Sequence, residues 1–155
     1  MEQGILHLHN FMRWAVLIFG VWTIFQSMGG MSGGKAFTDK NKRIAMFFMI
    51  SCDIQLLLGL VLYFIGPWGI KNIQNMGMGE VMKDSVSRFY AMEHNLMMLI
   101  AIALVHIGYS AAKKGEDSKK FKKLFWFSLI AIIIMLISIP WPFREGVGRA
   151  LFPGM

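Results

Sequence analysis

The chain has 155 residues, of which 55% are hydrophobic and only 16% charged, with a mean hydropathy of +0.52. Four apolar stretches and the connections between them leave nothing over for a separate soluble domain, which points to a single integral membrane domain over residues 1–155. The net charge of +7 is clustered between those stretches, so it marks orientation and contact with anionic lipid, and nucleic-acid binding is not expected.

A membrane-spanning helix needs about 20 mostly apolar residues. Residues 9–28, 44–65, 89–109 and 124–139 meet that requirement, the last only when its flanks are included. The start, Met1-Glu-Gln-Gly, lacks the basic region of a secretory signal, so the first stretch is read as a span. The expectation is an all-α, up-down four-helix transmembrane bundle. Lys35, Lys40, Lys42 and Arg43 lie in the first connection, and Lys113, Lys114, Lys119, Lys120, Lys122 and Lys123 in the third. The longer second connection has only Lys71, Lys83 and Arg88. The positive-inside rule therefore puts both termini outside.

The first stretch opens Leu6-His7-Leu8-His9-Asn10-Phe11-Met12-Arg13-Trp14. His9 and Arg13 are four apart and share one helical face. His7 is read as interfacial, and Trp14 as a residue of the aromatic belt. Two readings of Arg13 stay open: it snorkels outward, or it meets an acidic partner. The glycine-rich residues 29–34 fit neither a P-loop nor a dinucleotide fingerprint and read as a connection.

In the second stretch, Asp53 falls near mid-membrane, where a carboxylate requires a partner, water or a proton. Arg13, His94 and His106 are candidate partners. The favoured reading is a buried carboxyl hydrogen-bonded to a Gln or Ser, ahead of a proton relay. Cys52 is the lone cysteine and forms no internal disulfide. The stretch ends at Gly66-Pro67-Trp68, a helix stop followed by an interfacial ring.

The outer connection carries Met76, Met78 and Met82. Thioethers suit Cu(I), but with 14 methionines in the chain such spacings arise by chance. Residues 80–89 are read instead as an amphipathic lead-in to the third stretch. That stretch holds Glu93, His94 and His106. The twelve residues between the two histidines advance a helix by about 18 Å and rotate it about 120° beyond whole turns, so they cannot share a metal. His106 is read as interfacial or hydrogen-bonded. The fourth stretch is uniformly apolar and ends Ile139-Pro-Trp-Pro-Phe-Arg144; residues 145–155 carry no readable chemistry.

His9-Asn10-Phe11-Met12 and His94-Asn95-Leu96-Met97 open the first and third stretches, and Pro67-Trp68 and Pro140-Trp141 close the second and fourth. The chain thus reads as a tandem repeat of two helical hairpins. His9 and His94 then share one depth on diagonal helices roughly 12–14 Å apart, room for a planar cofactor between two imidazoles. Haem b ligated by His9 and His94, with Arg13 and Arg88 on its propionates, is one reading. The other is a cofactor-free bundle in which both histidines are interhelical hydrogen-bond glue and Glu93 neutralises Arg13 or Arg88.

At these residues the chain resembles a family of small four-helix membrane proteins of Bacteroidetes usually labelled cytochrome b or cytochrome b-like. The resemblance rests on His9 with Arg13, Gln55-Leu-Leu-Leu-Gly-Leu-Val-Leu-Tyr-Phe64, Arg88-Phe-Tyr, Glu93-His94, Met97-Met98-Leu-Ile-Ala-Ile and Ile139-Pro-Trp-Pro-Phe-Arg144. It implies a bacterial inner-membrane location and haem-dependent electron transport with a quinone or respiratory-chain partner. Asp53 departs from the family, where that position is commonly histidine. This departure favours the alternative function, an accessory or assembly subunit of a larger membrane complex. No nucleophile–base pair or zinc spacing points to an enzyme.

Overall fold

The computed structural model describes residues 2–152. Its long helices are α1 (Glu2–Met28), α2 (Asp39–Ile65), α6 (His94–Ala111) and α7 (Asp117–Ser138). Between α2 and α6 lie three short helices, α3 (Ile70–Met76), α4 (Met78–Lys83) and α5 (Ser85–Arg88), and a π-helical turn, Phe89–Glu93. Four segments are long and apolar enough to cross a membrane: Glu2–Met28, Asp39–Met76, Ser85–Ala111 and Asp117–Ser138.

Three of the four begin well before the apolar runs, because polar and charged residues extend a helix into the interface without breaking its backbone bonds. α2 starts at a capping box in which the Thr38 amide donates to Asn41 Oδ1 at 3.0 Å. It stops at Gly66, ahead of Pro67. The lead-in expected over residues 80–89 is broken into three pieces. Gly77, at φ +78°, separates α3 from α4. Asp84 accepts the Ser87 amide at 2.7 Å and starts α5.

α1 packs on α2 and α7, and α6 packs on α7 and α2, which leaves α1 diagonal to α6. The core lies where these four meet, around Phe48, Cys52, Ala101, Val105, Ala131 and Met135. Two glycines permit the approach. A Cβ at Gly20 would lie 2.4 Å from an Ile132 methyl carbon, and one at Gly108 2.6 Å from the Phe127 Cβ. Association of helices in lipid relies on such close backbone approach, since lipid is as apolar as the side chains. Outward stand large apolar residues such as Phe11, Ile18, Phe25, Leu57, Phe64 and Ile137, a surface suited to hydrocarbon.

Gln26 and Asn41 exchange hydrogen bonds at 3.0 Å, tying the last turn of α1 to the first turn of α2. Near the other end of α1, Gln55 donates to the His9 carbonyl at 3.0 Å.

Candidate functional site

His9 and His94 meet. Their ring centroids are 6.5 Å apart and the planes are inclined by 67°. His9 comes from α1, two turns into the helix, and His94 is the first α-helical residue after the π-helical turn. Single π turns inside helices frequently mark functional sites, because the extra residue re-aims the side chains that follow.

Each ring is held from a different direction. His94 Nδ1 lies 2.8 Å from the Ser138 carbonyl oxygen at the end of α7. A carbonyl only accepts, so Nδ1 carries the proton, and in a neutral ring the Nε2 lone pair is left available. This imidazole-to-carbonyl bond is the arrangement that orients metal-ligating histidines. Phe89 packs against the same ring, 5.8 Å between centroids. His9 Nδ1 is buried and has no hydrogen-bond partner among the described residues. Such a group costs about 1–3 kcal/mol unless something satisfies it. Gly59 on α2 makes room for this ring: a Cβ there would lie 3.3 Å from His9 Cε1 and 3.8 Å from Nδ1.

The separation can be tested against a metal centre. Two imidazoles on opposite sides of one metal, each nitrogen about 2 Å from it, have centroids about 6 Å apart. The observed pair fits that spacing. Among the described residues there is no cluster of three or more His, Cys, Asp or Glu able to hold a metal.

The C-terminal segment closes this end of the bundle. After Pro140 it doubles back, and the Arg149 amide donates to the Pro140 carbonyl at 2.9 Å. Arg13 Nη2 and Trp14 Nε1 both donate to the Leu151 carbonyl, at 2.8 and 3.3 Å. Tyr90 donates to the Val147 carbonyl, and Arg149 Nε donates to the Tyr90 oxygen at 2.9 Å. Phe152 stacks on Trp14 at 5.5 Å. Arg144 lies over Phe89, 4.7 Å from its ring centroid, and donates to the Ile137 and Ile139 carbonyls at the end of α7. Residues 145–152, without chemistry as sequence, thus include a docked lid.

Arg13 takes neither of its expected courses. It is buried, its partner is a backbone carbonyl rather than an acid, and its Nε has no partner among the described residues. Arg88 pairs with Glu93 at 2.7 Å and with the Met82 carbonyl at 2.8 Å. Asp53 pairs with His106 Nε2 at 2.7 Å across α2 and α6, instead of with a Gln or Ser. Of the methionines in the outer connection, Met76 accepts from the Ser87 hydroxyl at 3.7 Å, and Met78 and Met82 are exposed. Ser138 was not singled out by sequence reasoning, and Gln55, Gly59 and Tyr90 stood only within the pattern of the resemblance; each acts through a partner far along the chain.

No protein family, curated protein or solved structure matches this chain.

Proposed function

We propose that this chain is a b-type cytochrome-like electron-transfer protein of a bacterial inner membrane, holding one haem near the outer face between His9 and His94. The convergence of the two imidazoles from diagonal helices, 6.5 Å between centroids, carries the reading. The residue pattern shared with the cytochrome b-like family of Bacteroidetes adds to it.

The bundle is up-down, with both termini outside, and is built of two similar hairpins. In support, hydrogen bonds join the end of α1 to the start of α2, and the start of α6 to the end of α7. The lysine-rich connections after α1 and α6 belong on the cytoplasmic side.

Haem supplies, when bound, a one-electron Fe(III)/Fe(II) couple. The chain's own residues do the rest. Ser138 fixes the His94 tautomer and ring direction, and raises the basicity of Nε2. Gly59 leaves His9 space to face it. The buried Arg13 charge, one turn from His9, favours addition of an electron nearby, and its unpaired Nε suits a carboxylate. Arg88 is engaged by Glu93, so Arg13 is the better propionate partner. The lid of residues 140–152 keeps water from that end, and a quinone or respiratory-chain subunit is the redox partner.

The second reading is a cofactor-free accessory or assembly subunit of a larger membrane complex. It is favoured by the edge-on packing of the two rings on one another and by the protein partners that Arg13 and Arg88 already have.

The two are separated by the reduced-minus-oxidised spectrum of the detergent-solubilised protein. Haem binding predicts b-type alpha and beta bands that disappear in His9→Ala and in His94→Ala. A colourless wild type, or a spectrum untouched by both substitutions, overturns the haem reading.

A further inference from the structure

The Asp53–His106 pair belongs to neither the histidine site nor the core. Ten residues separate Arg43 from Asp53 on α2, about 15 Å along the axis, and the hydrocarbon layer is about 30 Å thick. Seven residues separate His106 from Lys113 on α6, about 10 Å, so the pair lies inside the hydrocarbon layer, in the half next to the basic connections. It is also turned outward: the His106 and Asp53 side chains are 44% and 41% exposed. Ionisable residues at that depth normally face the bundle interior or a cavity, and a dyad opening on hydrocarbon calls for an occupant.

The chemistry left on its open side narrows that occupant. His106 Nε2 and Asp53 Oδ1 are committed to each other at 2.7 Å. His106 Nδ1 and Asp53 Oδ2 have no partner among the described residues, and neither is buried. With Nε2–H donating to Asp53, the neutral ring offers an acceptor at Nδ1, and the protonated ring a donor. One position thus accepts from a hydroxyl in one protonation state and donates to a carbonyl in the other. Around the dyad, Ile50 and Leu57 on α2 and Leu99 and Ala103 on α6 are exposed and apolar, so the open polar atoms sit within an apolar surface, with the small Ala103 one turn from His106.

We infer that the α2–α6 seam at Asp53 and His106 binds the head group of a lipid-soluble quinol or quinone, the ring lying over Ala103. The ring hydroxyl donates to His106 Nδ1 in the quinol, and the imidazolium donates to the ring carbonyl in the quinone. This site stands apart from the His9–His94 reading and is tested without it.

The full chain is placed in phosphatidylethanolamine–phosphatidylglycerol vesicles and irradiated with an azido-substituted 1,4-benzoquinone carrying one isoprenoid unit. Label is expected on the α2 and α6 peptides flanking Asp53 and His106. It should fall tenfold or more with excess of the same quinone lacking the azide, and equally in Asp53→Asn and His106→Phe. Circular dichroism confirms that both variants fold, and Ile18→Ala, on the outer face of α1, should leave the label unchanged. Label spread evenly over lipid-facing helices, or unaltered in both dyad variants, overturns the inference. So does efficient disulfide linkage of two copies through Ile50→Cys, which makes this face a self-association surface.

Discussion

Replacing Arg13 with leucine is expected to loosen the C-terminal lid while leaving the bundle intact. The guanidinium gives the Leu151 carbonyl a charge-assisted bond at 2.8 Å, a contact of about 1.5–3 kcal/mol. It also lies 5.8 Å from the Trp141 ring centroid, contributing about 0.5–1 kcal/mol; its contact with Trp14 lies within α1 and survives opening. Opposing these is the buried Nε, which has no partner among the described residues and costs about 1–3 kcal/mol. Leucine removes gains and cost together, so the net loss in docking is about 1 kcal/mol, roughly a fivefold rise in the open population. Hydrogen exchange reads this directly. The amides of Val147, Gly148 and Arg149 are bonded within the lid at 2.8–2.9 Å, and each should exchange roughly fivefold faster. Amides in the middle of α7 should not change. Trp14→Phe removes the 3.3 Å bond to the same carbonyl and should accelerate the same amides by a comparable or smaller factor. Unchanged lid exchange in Arg13→Leu refutes the reasoning, as does acceleration spread over the whole bundle.

Two further substitutions probe packing and the site. Gly20→Val drives a side chain into Ile132 and Phe48, whose nearest atoms lie 2.4 and 2.9 Å from an ideal Cβ. It should destabilise the bundle by about 1–3 kcal/mol in reversible unfolding from mixed micelles, and wild-type stability there means the helix crossing is misplaced. At Gly59, alanine needs His9 to shift by only a few tenths of an ångström, whereas leucine fills the space the ring occupies. On the haem reading Gly59→Ala keeps a b-type spectrum and Gly59→Leu loses it; pigment retained in Gly59→Leu argues against His9 as a ligand.

How much of this was legible beforehand differs from residue to residue. The four apolar runs, the helix stops at Gly66-Pro67 and Pro140, and the helical class follow from hydropathy and backbone chemistry, which act over neighbouring residues. The likeness of His9-Asn10 to His94-Asn95 singled out two histidines on diagonal helices, and that was as far as local pattern reached. The helices begin several residues ahead of the apolar runs, at Glu2, Asp39 and Asp117, since the polar turns that continue a helix look in sequence like connections.

Sequence alone determined that this chain forms helices fit to cross a bilayer, because a backbone in hydrocarbon must satisfy its own hydrogen bonds and only long apolar helices do so locally. It could not determine what Arg13 binds. That partner is a carbonyl 138 positions away, and every residue carries a carbonyl, so no side-chain pattern announces it. The pairing of Asp53 with His106 and the bond from His94 to Ser138 were likewise decided only by which helix faces were brought together. Tertiary packing also set the two rings 6.5 Å apart between centroids, because side chains reach inward from diagonal helices. The tertiary structure thereby made two similar tetrapeptides into one site.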